Sequence, residues 1–135
     1  SNARIAELIK EKGYHLSGKL SPGGAMYSPY AEQQTIFADA AEPKSIADLR
    51  GAGLKIYPCK KYPGSVIYGI RWLQNRKIVI DPKRTPHAWK EFTEYEYLTT
   101  KDGEFLADVP DENNHILDAC RYALDRLINN RGVSA

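Results

Sequence analysis

The sequence predicts an α/β domain with a β-hairpin set beside its sheet. Three observations predict it. Residues 35–38 and 54–58 are short apolar runs with a helical pattern between them, so a right-handed parallel unit is the expected connection. Asp102-Gly103 is a strong hairpin-turn pair. Residues 111–130 carry an apolar stripe at helical spacing, which predicts a long closing helix.

The elements follow in order. Ile5, Leu8 and Ile9 recur at helical spacing, and Gly13 suits the end of that helix. Ser1-Asn2-Ala3 reads as a remnant of tag removal, so the native segment begins near Arg4. Residues 16–30, rich in Gly, Ser and Pro, form a loop that Tyr27 and Tyr30 are placed to anchor. The first strand, 35–38, ends at Asp39. Pro43 suits the first turn of a helix to about Arg50, and Gly51 and Gly53 end it. Residues 64–74 are helical, with Val66, Ile67, Ile70 and Leu73 on one face, and 77–80 read as a third short strand. Residues 92–98 alternate like an antiparallel strand, and 104–107 return beside them. The closing helix presents Ile116, Ala119, Cys120, Ala123, Leu124 and Leu127 on its apolar face, and Asp111 and Glu112 complement its N-terminal dipole. Trp72, Trp89, Tyr95 and Tyr97 read as core or hairpin packing.

The chain has 135 residues, so residues 4–135 are expected to form one domain with its own core. Hydrophobic residues make up 42% and charged residues 27%, an ordinary globular balance. A net charge of +2 does not by itself identify a polyanionic partner, so the placement of the charges matters more than their sum. Cys59 and Cys120 are too few for a disulfide framework and have no CxxC spacing for zinc; both read as small buried residues in a reducing cytoplasm. No apolar run reaches the roughly 18 residues of a membrane span. No Walker A loop occurs, so this chain is not expected to hydrolyse ATP.

Three groups carry the candidate chemistry. Asp39 puts a carboxylate at the carboxyl end of a buried strand, where open α/β sheets bind ligands; the same position suits a turn or cap before the helix that Pro43 begins. His115 and Asp118 lie three residues apart, which places an imidazole and a carboxylate on one helical face. That pair suits a hard divalent ion with a neighbouring proton acceptor, and it equally suits a solvated surface pair. Lys44, Lys60 and Lys61 follow the two strands, so they fall near the same sheet edge as Asp39, where phosphate binding needs cations. Arg71, Lys83, Arg84 and Arg121 are more scattered, and His15 and His87 have no convincing metal partner.

Two segments resemble the nuclease domain of phage terminase large subunits, of the headful-packaging kind. Residues 37–46, Phe-Ala-Asp-Ala-Ala-Glu-Pro-Lys-Ser-Ile, are similar to its second acidic strand, and residues 111–123, with Asn-His-x-x-Asp-Ala-x-Arg-Tyr-Ala, to its closing helix. The resemblance runs from about Thr35 to Leu127. It implies an RNase H-like mixed sheet flanked by helices, with the hairpin before the C-terminal helix. It also implies endonucleolytic cutting of double-stranded concatemeric DNA with Mg²⁺ or Mn²⁺. Asp39 then matches the second-strand aspartate, Asp118 the helix aspartate and His115 the histidine one turn before it, as metal ligands and catalytic residues. Implied partners are DNA, an ATPase motor domain, the terminase small subunit and the portal, in the host cytoplasm. The family carries a further aspartate on a first strand, whereas no Asp precedes Asp39 here. The expectation is therefore a partial domain without its first strands, weak or inactive alone, with an exposed sheet edge that invites self-association. The alternative is a degenerate remnant that binds DNA or packaging partners without cutting.

Overall fold

The computed structural model describes residues 1–16 and 34–129, so the loop around Tyr27 and Tyr30 lies outside the described residues. The chain divides into two compact units, Ser1–Cys59 and Lys60–Ala135.

The first unit is built from α1 (Asn2–Glu11), β1 (Ile36–Ala38), α2 (Pro43–Gly51) and β2 (Ile56–Pro58). Ser1 caps α1, its hydroxyl accepting from the Arg4 amide, and the Asn2 side chain donates to Asp48 Oδ2 at 2.9 Å. The residues read as a tag remnant are thus taken up into the first helix. Gly13 follows the helix with φ +69°, the left-handed turn that its lack of a Cβ allows. Pro43 occupies the first turn of α2, where its missing N–H leaves no bond unmade. The strands pair in parallel, Ile36 with Ile56 and Ala38 with Pro58, as the strand–helix–strand pattern predicts. Ala6, Ile46, Leu49, Leu54 and Ile56 form the core of this unit, and Ile56 is only 2% exposed.

The second unit contains α3 (Ser65–Gln74), α4 (Pro86–Glu94), α5 (His115–Ala123) and α6 (Asp125–Asn129). Ile70 and Leu73 of α3 and Leu117 of α5 form its core, with Trp72, Phe92, Tyr95, Val109 and Leu124 packed against them. Four expectations need correction here. Residues 77–80 are not a strand: they pair with no other described strand and Val79 is 84% exposed, so β-branched composition alone did not make one. Residues 92–94 belong to α4, because Pro86 starts a helix whose spacing lays Phe92 onto the core. The hairpin ladder sits later, with Leu106 N donating to Leu98 O at 2.7 Å, a Thr99–Phe105 antiparallel bridge, and Gly103 at φ +81° in the turn.

The closing helix is the fourth correction. It begins at His115, because Asn113 takes φ +53°, and it breaks at Leu124. The break lets Asp125 turn inward, where Oδ1 accepts from Lys60 N at 3.0 Å and from Asn129 Nδ2 at 2.8 Å. The buried positions are consequently Leu117, Asp125 and Ile128, whereas Ala119 and Leu127 face outward. Cys59 is buried and Cys120 half-buried, and neither forms a disulfide.

Candidate metal centre

Asp39 sits at the end of β1, half-buried. Its Oδ1 accepts from the Ala41 amide at 2.9 Å, and its carbonyl from the Glu42 amide at 3.2 Å. This is an Asx-type turn that leads the chain from strand into helix. The helix cap itself is Glu42, so Asp39 is a turn residue and not the cap. One carboxylate oxygen is used in the turn; Oδ2 remains for a ligand. Lys44 lies exposed on the first turn of α2.

In the second unit, α5 presents His115 at its first position and Asp118 one turn later, both in the positive half of the helix dipole. His115 is exposed and helps line a cleft of about 570 Å³ together with His87, Glu91, Glu94, Tyr95 and Asn113. Asp118 is more enclosed, its side chain 25% exposed, with Oδ1 bound to Arg121 Nη2 at 2.7 Å. That bond leaves Asp118 Oδ2 as its available ligand atom. The N-terminus of α5 is not satisfied by Asp111 or Glu112. Glu91 of α4 accepts there instead, from Ile116 N at 2.9 Å and Leu117 N at 3.2 Å through Oε1. A carboxylate aimed at free amides at the positive end of a helix is both cap and dipole partner.

Tyr95 and Asn114 complete this corner. Asn114 is buried, and the Tyr95 hydroxyl donates to Pro110 O at 2.6 Å. Burial pushes the Tyr95 phenol up; a hydrogen bond with Asn114 opposes this, and the nearby Asp118 charge adds to it. Burial, with Glu91 nearby, also pushes the Cys120 thiol up.

Within each unit the structure brings sequence-predicted residues together. His115 and Asp118 share one turn of α5, as their spacing requires; Asp39 and Lys44 share the β1–α2 junction. Lys60 is drawn into the second unit, its amide on Asp125 and its Nζ 3.5 Å from Asn129 O, and Lys61 is exposed. Neither unit gathers three or more His, Cys, Asp or Glu side chains into a metal-binding group among the described residues. The donor chemistry still fits Mg²⁺ or Mn²⁺. Each aspartate keeps one carboxylate oxygen while a hydrogen bond fixes the other, and hard oxygen donors are what these ions require. Glu91 was missed in the sequence, although Pro86 signalled the helix that carries it.

Replacing Glu91 with alanine is expected to cost about 1–2 kcal/mol, since it strands the first amides of α5. Glutamine, which keeps an acceptor but not the charge, should lose only about 0.3–1 kcal/mol. Urea unfolding of the two variants checks the difference.

Comparison with known proteins bears on this site. Residues 1–126 match the family model described as the terminase RNase H-like domain. The large subunit of the terminase of Bacillus phage SPP1 is 43% identical over 106 residues, covering 76% of this chain and 25% of that protein. The PBSX phage terminase large subunit of Bacillus subtilis strain 168 is 32% identical over 93 residues, covering 69% of this chain and 22% of that one. The chain thus spans about a quarter of the length of the curated relatives it matches. Among solved structures, the large terminase nuclease domain from bacteriophage SPP1, determined with bound Mn, superposes with a TM-score of 0.72 at 35% identity, covering 93% of this chain and 63% of that one.

Proposed function

The chain belongs to the terminase RNase H-like domain family, and from that premise we propose that it is the nuclease part of a phage or prophage DNA-packaging terminase large subunit. In this reading it cuts double-stranded concatemeric DNA by metal-dependent hydrolysis, and residues 4–135 act as one domain. The observation that carries it is the match to a relative named as a large terminase nuclease domain with bound Mn. The placement of His115 and Asp118 in one turn at the positive end of α5 supports it.

We assign Asp39 and Asp118 as residues that would hold Mg²⁺ or Mn²⁺, and His115 as a further ligand or orienting group beside Asp118. Bound there, divalent ions supply an acidified water and a stabilised leaving oxygen. The chain's own part is positional. The Asx turn fixes the Asp39 carboxylate, and Arg121 fixes that of Asp118. Exposed on helix α5, His115 can accept or hold a proton near the scissile phosphate. Lys44, Lys60 and Lys61 offset phosphate charge along the DNA backbone. In the whole protein the partners are an ATPase motor domain, the small subunit and the portal, in the host cytoplasm.

A second reading is a remnant that binds DNA or packaging partners without cutting. Plasmid nicking in Mn²⁺ separates the two. The nuclease reading expects slow nicking by the chain that disappears in Asp39→Asn. No nicking by the parent chain favours the remnant, and undiminished nicking in Asp39→Asn contradicts the assigned site.

A further inference from the structure

Arg121 is one turn beyond Asp118 on α5, and its side chain is only 10% exposed. Buried guanidinium groups need an anion, because moving the charge out of water is costly. The anion here is Asp118, 2.7 Å from Nη2. Arg121 Nε is buried with no hydrogen-bond partner among the described residues, so the charge leans heavily on that single carboxylate. The stem of the side chain lies against α3 at Gly69. A Cβ built on Gly69 would stand 2.9 Å from Arg121 Cδ and 3.4 Å from Cγ, closer than packed carbon atoms approach. Glycine is an unfavourable residue for a helix interior, and close approach of another element gives a reason for this one.

We propose that Arg121, seated in the notch at Gly69, is a resident counter-ion of Asp118 that sets the affinity of this carboxylate for a divalent cation. The inference rests on Asp118 being a metal ligand. Arg121 occupies Oδ1, so a cation binds Asp118 through Oδ2 alone. That cation then sits beside a fixed positive charge in a poorly hydrated corner, where Coulomb repulsion is weakly screened. The result is a low-affinity site in the free protein. Further hard oxygen donors, such as the phosphates of DNA, would be needed to hold the ion tightly, as is usual for Mg²⁺ held by few carboxylates. Arg121 is in this sense a positioning residue: it acts on the cation through Asp118.

The sign of the effect separates this role from a merely structural one. A structural defect weakens metal binding, whereas removal of a competing charge strengthens it. Calorimetric titration of Mn²⁺ alone, without DNA, into the full chain and its variants reads that sign, after thermal melts have established folding. Arg121→Gln is expected to tighten Mn²⁺ binding at least about fivefold. Arg121→Lys, which keeps the charge, should stay within roughly twofold of the parent. Gly69→Ala, which pushes Arg121 from its seat, should tighten binding on its own and add nothing to Arg121→Gln, and it carries the same prediction if Arg121→Gln does not fold. Binding lost in Asp118→Asn but not tightened in Arg121→Gln or Gly69→Ala overturns this inference alone. Binding unchanged in Asp118→Asn, or absent from every variant, overturns the ligand reading and this inference together.

Discussion

Asp118→Asn is expected to abolish Mn²⁺-dependent nicking and, separately, to lower stability by about 1.5–3 kcal/mol. The two effects have different causes. Nicking is lost because asparagine presents a neutral amide to the cation in place of a charged oxygen. Stability is lost because Arg121, nine-tenths buried, keeps its charge and loses its charged partner at 2.7 Å. The estimate is held below the cost of breaking a fully buried pair because Asp118 itself is 25% exposed. Denaturant unfolding in metal-free buffer reads the second effect without the first. An unchanged midpoint would show that Arg121 finds another partner and that the pair is weaker than its geometry implies.

Ile56→Ala is expected to have the largest effect on the first unit, about 2–5 kcal/mol. Ile56 is 2% exposed, pairs with Ile36 across the parallel strands, and packs within the cluster of Ala6, Ile46, Leu49 and Leu54. Truncation leaves a cavity between sheet and helices that a sheet of two strands among the described residues has little means to close. β1 carries Asp39 at its end, so loosening this pair also loosens the turn that aims the carboxylate. Hydrogen exchange at the amides of Ile36 and Cys59, which donate to Lys55 O and Ala38 O, should speed up first.

Local signals made the first unit readable. Pro43 at a helix start, two apolar runs and a glycine after α1 each act within a few residues, and α1, β1, α2 and β2 fall where those signals put them. The second unit was harder because its decisive contacts are between distant residues. Tyr95 and Tyr97 alternate with Glu94 and Glu96 as in a strand, yet Phe92 and Tyr95 are three apart, and the packing of α4 against α5 makes the helical period win through Glu94. The start of α5 was placed at Asp111 because acidic residues favour helix starts, but the amides there are capped by Glu91, twenty-five residues earlier than Ile116. Neither the inward turn of Asp125 toward Lys60 nor the notch at Gly69 leaves a trace in local periodicity. Spacing put His115 and Asp118 on one helical turn, where the structure has them, and the end of a strand singled out Asp39; the family resemblance is what joined the three into one proposed metal site. The Arg121 pairing was within reach of the same spacing rule, since it is again three residues on.

The central proposal is that Asp39 and Asp118 are ligands of a divalent metal. A crystal structure of the chain soaked in Mn²⁺, with anomalous scattering measured at the manganese edge, tests it most directly. Manganese peaks with carboxylate oxygens of Asp39 and of Asp118 at about 2.1 Å, and the His115 imidazole beside that of Asp118, are expected. Manganese bound to other side chains, with neither aspartate among its ligands, would contradict it.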